Sequence, residues 1–280
     1  MALKHLLLNL DTGRNAAIRY DLATELARDH GAHLTGLYVR NMQSAHVLPG
    51  GATVGLSEQL RQAMATQSAE ENQAESEAVS RFKDTAQAAG ISFEHHIEDG
   101  FDAAGAVPYL VQYARTADLV ILGKGDGGDG RNIAHDVLFG GGVPVIVVPP
   151  IEHDSIGQRV MIAWNGSREA ARAVKDALPV LERAASVTVL CVNQLQPGQN
   201  EQPGEELARS LRRHGIDAAV DNIVRKGQSV GDAIVSRIAD AGADMLVMGA
   251  WGHTKLREFV LGGVTKRILE QTSVPVLMSH

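Results

Sequence analysis

The 280-residue chain sets 26 Lys/Arg against 33 Asp/Glu, a formal charge of -7, with 44% apolar residues, which is the make-up of an ordinary soluble globular protein with enough apolar material for one large or two medium cores. A net negative chain is a poor candidate for non-specific nucleic-acid binding. No apolar run approaches the ~20 residues that span a bilayer, so no membrane role is expected, and a single cysteine excludes an internal disulfide and a Cys-rich zinc site.

The opening MALKHLLLNLD reaches polar residues too soon for a secretory leader and reads as a first strand, which makes the cytoplasm the expected compartment. An Ala-rich helix (AAIRYDLATELARDH) and a second strand (AHLTGLYV) follow. An insertion over about 56–90 is rich in Gln, Glu and Ala and has few large apolar residues, which predicts an extended helix with its outer part in water. The other reading of this stretch is an acidic surface that recruits a protein partner. EHHIE predicts a strand that sends His95 and His96 to opposite faces, poor geometry for a shared metal. Val107, Leu110 and Val111 recur at helical spacing, and two strands, ADLVILG and GVPVIVVPP, close the first half, the last one ended by prolines.

The second half repeats this order. RVMIAWNGSREAARAVKDALPVLERAASVTVLCV matches the first βαβ unit, ADMLVMG matches ADLVILG, and SVPVLMSH matches GVPVIVVPP. The expectation is two tandem doubly wound α/β domains, 1–150 and 157–280, each with a mainly parallel five-stranded sheet. Cys191, inside SVTVLCVN, is expected in the core.

In such sheets ligands sit at the carboxyl ends of the strands. Asn165, Gly166 and Ser167 follow the first strand of the second half, where they serve either a ligand or only a turn and a helix cap. After ADMLVMG, the glycines Gly249, Gly252, Gly262 and Gly263 bracket HTKLREFVL. They allow backbone N–H groups to approach an anion in front of a helix that starts near Gly263. Thr265 adds a hydroxyl in its first turn, while Lys255, Arg257, Lys266 and Arg267 are either part of an anion site or solvated surface.

These segments resemble the universal stress protein family over nearly the whole chain, in a tandem two-domain form. Gly249, Gly252 and Gly262 stand at the spacing of the family's nucleotide loop, with Gly263 where the family has serine or threonine. The resemblance implies an adenine nucleotide alpha hydrolase-like fold and a stress-response protein that binds ATP through its second domain, with Mg²⁺ accompanying the phosphates. It places Asn165 at the family's acidic adenosine contact and Val192 beside the base, and it implies that the terminal strands of the halves meet as an internal pseudo-dimer, with a further homodimer of chains. In the first half Asp11 keeps the acid, but the loop after Gly123 is shortened and holds Asp126 and Asp129, so that copy is expected to have lost its nucleotide site. No GxxxxGK[ST], GxSxG or HExxH pattern is present, no GxGxxG directly follows the first strand of either half, and GKGDGG is too permissive to count as a motif; His253 reads as either a base near the phosphates or a surface histidine. At most slow ATP hydrolysis is expected. The alternative function is a structural or interaction module that binds no nucleotide.

Overall fold

The computed structural model describes residues 2–13, 15–41, 58–100, 105–125, 133–192, 204–225, 227–250 and 263–280. In the first half β1 (His5–Leu10), α1 (Ala16–His30), β2 (His33–Asn41), α2 (Glu58–Ala89), β3 (Phe93–Gly100), α3 (Val107–Ala114), β4 (Leu119–Gly123), α4 (Ile133–Gly141) and β5 (Val145–Val148) alternate strictly. The second half repeats the series with β6 (Arg159–Ala163), α5 (Arg168–Leu181), β7 (Ser186–Val192), α6 (Glu205–Arg213), β8 (Ala218–Ile223), α7 (Val230–Ala241), β9 (Met245–Gly249), α8 (Gly263–Gln271) and β10 (Val276–Ser279).

Strand order is β3-β2-β1-β4-β5-β10-β9-β6-β7-β8. Within each half all pairings are parallel and the order is the same, the five-stranded unit expected from the repeat. The terminal strands meet as the resemblance implies, and they do so by hydrogen bonding: β5 and β10 pair antiparallel, with Val147 opposite Val276, Ile146 opposite Leu277 and Val145 opposite Met278. The two expected sheets are therefore one ten-stranded sheet. The pairing covers an edge that each half would otherwise expose.

Alternating side chains build one core on each face. Leu6 and Leu8 point toward α1 and α2, on the face where Ala173 of α5 and Leu211 of α6 are also buried. Leu7 points the other way, toward Leu110 of α3 and Val137 of α4, on the face that also holds Ile234 of α7 and Ile268 of α8. Each core runs through both halves without a break. Cys191 lies in the first of these at 1% exposure, and burial pushes its thiol up to about 11. Alkylation by iodoacetamide at pH 8 should accordingly fail on the native protein and succeed in denaturant, read by mass spectrometry.

Helix α2 spans 32 residues, about 48 Å at 1.5 Å per residue. Residues 65–70 are exposed, whereas Ala78, Val79, Phe82 and Ala86 are buried, so only the second part of the insertion joins the core. Strand β3 sends His96 toward Tyr113 of α3, ring centroids 5.1 Å apart, and His95 toward the Lys83 and Glu75 charges of α2, the opposite-face placement expected of EHHIE.

The repeated AD dipeptide has a physical reason. Asp118, just before β4, accepts from the N–H groups of Lys4 (2.7 Å) and His5 (2.9 Å). Asp244, just before β9, accepts from Arg159 N–H at 2.9 Å, Gln158 N–H at 3.3 Å and the Ser155 hydroxyl at 2.6 Å. Each carboxylate thus ties down the chain entering the first strand of its half. Asp244 is 6% exposed. Its replacement by Ala would strand buried donors and should lower stability by about 2–4 kcal/mol, seen as a drop in the urea midpoint that Asp244→Asn partly restores.

Candidate functional site

The carboxyl ends of β9, β6 and β7 lie side by side. Ala163 of β6 is opposite Met248 of β9 and Leu190 of β7, so Gly249, Asn165 and Val192, one or two residues further on, share one rim. Val192 is 7% exposed and belongs to the core face that also holds Met248 and Ile268 of α8. Gly263 opens α8 and is exposed, while Thr265 in the same turn is 3% exposed. Asn165, Val192, Gly249, Gly263 and Thr265 are thereby placed at one end of the second half. Gly252, Gly262, His253, Lys255 and Arg257 lie outside the described residues, as do Asp126 and Asp129 of the first half.

The local reasons for these positions differ from residue to residue. The Asn165 side-chain oxygen accepts from Ser167 N–H at 3.0 Å, and Gly166 turns the chain with φ +71°. Ser167 then caps α5 by accepting from Ala170 N–H at 3.2 Å. Turn and cap are therefore both real, and the Asn165 oxygen is already committed to the turn, so what it has in hand for a ligand is the donor side of its amide. At Gly249, a Cβ would sit 2.4 Å from the backbone nitrogen of Ala170 and 2.5 Å from the carbonyl carbon of Glu169. The end of β9 packs directly on the first turn of α5, and only glycine leaves room. Gly263 is the reverse case: a Cβ there meets nothing within 4 Å.

Helix amino termini on this rim are not equivalent electrostatically. The first turn of α5 holds Glu169, that of α6 holds Glu205 and Glu206, and that of α7 holds Asp232. Burial pushes the Glu169 carboxyl up, but bonds from its own N–H and Ser167, together with Arg168, hold it below the usual carboxylate range. Those three helix ends carry their own anions. Helix α8 has no acidic residue in its first turn, so no carboxylate there offsets the positive end of its dipole.

The matching rim of the first half is filled from within. By repeat position Asp11 corresponds to Asn165 and Arg19 to Ala173. Arg19, 4% exposed, forms an ion pair with Asp11. The other Asp11 oxygen accepts from Gly13 N–H at 2.7 Å, and the Tyr20 hydroxyl donates to the Asp11 carbonyl at 2.9 Å. Nothing in the order of residues along the chain announces the Arg19 contact, because it depends on which face of α1 turns inward. Among the described residues no group of three or more His, Cys, Asp or Glu is placed to hold a metal ion, and no described helix is long and apolar enough to cross a membrane.

Residues 157–280 match the model of the universal stress protein family. A universal stress protein of Synechocystis sp., Slr1230, is 26% identical over 298 aligned positions, covering 98% of this chain and 99% of its own. The chain is similar to universal stress proteins along its length, and its second half matches the family's model. Among solved structures, a universal stress protein from Archaeoglobus fulgidus DSM 4304 superposes with a TM-score of 0.71 at 18% identity, covering 98% of this chain and 95% of that one. The protein PA1789 from Pseudomonas aeruginosa PAO1, whose function is unknown, gives 0.56 at 11% identity over 99% and 92% of the two chains. Both show the same tandem-length fold. Two substitutions separate the packing and surface glycines of this half: Gly249→Ala should cost several kcal/mol through the α5 clash, and Gly263→Ser should leave the thermal midpoint within about 1 °C, a change of the size expected for an open surface position.

Proposed function

We propose that the second half, residues 157–280, binds ATP at the carboxyl ends of β9, β6 and β7, and that the protein uses this site in a sensing or regulatory role in the stress response. The observation that carries the reading is the contrast among helix termini: α8 alone of the four second-half helices begins without a carboxylate. A polyphosphate is the natural complement of such an end. In this reading Gly249, Gly252, Gly262 and Gly263 form the phosphate loop, Thr265 supports its helix, Val192 lies against the adenine, and the Asn165 amide donates to the ribose or base. Lys266, in α8, adds positive charge, while Arg267 is paired with Asp232, and Mg²⁺ comes with the phosphates rather than in a protein cage. The first half, with Asp11 taken by Arg19, has no part in direct nucleotide contact. The setting proposed for this activity is a cytoplasmic homodimer.

Turnover is expected to be slow, because no described group is placed as a general base toward a phosphate-bound water. Two measurements check the proposal. Native mass spectrometry of the purified protein should reveal one adenine nucleotide per chain, and calorimetry should give a Kd for ATP that Gly263→Ser tightens by up to roughly tenfold through one added charge-assisted bond. Phosphate release should remain below about one per second, under the usual enzyme range. No heat and no co-purified nucleotide would reject the reading.

A further inference from the structure

Helix α8 is fastened at two points, and one fastening comes from the other half of the molecule. Lys124, the residue after β4, donates from its ammonium to the backbone carbonyl of Glu270 at 2.6 Å, across 146 positions of sequence. Glu270 lies in the last turn of α8, where carbonyls have no partner within the helix and a positive charge is favoured. At the middle of the helix, Arg267 donates through Nε to Asp232 of α7 at 2.5 Å. The second Asp232 oxygen accepts from the Ser229 hydroxyl at 2.7 Å, and Asp232 N–H donates back to that hydroxyl at 3.1 Å, which locks the carboxylate into the cap of α7. Bonds from Ser229 and Arg267 hold the Asp232 carboxyl below the usual range. Gly231 lets the Arg267 stem close in: a Cβ on that glycine would be 2.9 Å from both Cβ and Cγ of Arg267.

The matching positions of the repeat carry residues that cannot make the same two bonds. Lys124 N–H bonds the carbonyl of Val148 as Ala250 N–H bonds that of Ser279, so Ala250 is the repeat partner of Lys124 and has no ammonium to offer. Aligned on Val-Pro-Val, the partner of Arg267 is Asp136, a reversal of charge. The two clasps therefore belong to the helix whose amino terminus is free of carboxylates.

We propose that the Lys124–Glu270 and Asp232–Arg267 clasps preset α8 in a phosphate-facing position, which makes Lys124 the first half's contribution to the nucleotide site of the second. This inference rests on the ATP-binding reading above. It gives the first half a part in binding without a site of its own, as a buttress behind the phosphate helix, and it makes Lys124, Asp232 and Arg267 positioning residues rather than ligand contacts.

The test compares ATP with adenosine in the full-length chain. Lys124→Met should weaken ATP about threefold, the size of a helix-terminus charge, and Asp232→Asn roughly tenfold, the size of a charge-assisted bond. Adenosine, which has no phosphate to present to α8, should bind all variants as it binds the parent. Arg267→Lys, which keeps the charge, should lose less than Arg267→Met. Hydrogen exchange of amides 263–271 without nucleotide should be faster in Lys124→Met and Asp232→Asn than in the parent. Unchanged ATP affinity in both variants, equal losses for ATP and adenosine, or unchanged exchange would overturn the inference while leaving the ATP site standing. A parent chain that binds neither ligand would instead remove the reading beneath it.

Discussion

The antiparallel pairing of β5 with β10 governs how everything else is arranged. It is short, with three opposed residue pairs, yet it converts two five-stranded sheets into one surface and lets each core continue from one half into the other. Because the two strands run in opposite directions, the end of β4 in the first half lies beside the last turn of α8, and the end of β10 lies beside α4. Lys124 on Glu270 records the first contact, and the Phe139 and His280 rings, 4.1 Å between centroids, record the second. A parallel junction would have put like ends together and made neither contact.

Division of labour follows from the same duplication. Both halves keep a side chain at the end of their first strand that folds back on the backbone two residues later, Asp11 onto Gly13 and Asn165 onto Ser167. That turn is a property of the fold and is retained in both copies. What differs is the helix that follows: Arg19, ion-paired with Asp11, in one half and Ala173 at the matching position of the other. In the first copy this end is a self-contained polar cluster.

Much of this fold was legible in the residues themselves, and the limits have physical causes. Strand and helix alternation reads directly because it is carried by local periodicity, as Leu6, Leu7 and Leu8 illustrate by facing two different cores. The long insertion declared itself by helix propensity and became α2. The AD repeat was visible, but its meaning depended on which chain entered beside it, a contact 113 or 85 positions away for Asp118 or Asp244. Gly249 stood at the spacing of a phosphate loop, while its steric necessity came from α5, an element eighty residues earlier on the chain. The contact of Lys124 with Glu270 spans 146 positions of sequence. Side-chain partners between distant elements are set by the relative angle of packed layers, and no local pattern encodes that angle.

The Asp11–Arg19 pair also bears on how variation in this protein should be read. Arg19 is almost wholly enclosed while Asp11 remains a third exposed by side chain, so loss of the acid leaves a guanidinium inside the first core with its principal counter-charge gone, a situation that typically costs 3–5 kcal/mol. An Asp11 variant is then expected to lose stability, and with it abundance, at a position whose place at the end of a first strand invites a ligand-contact interpretation. Abundance measured alongside phenotype separates the two, and for this half of the molecule the lesion belongs to folding.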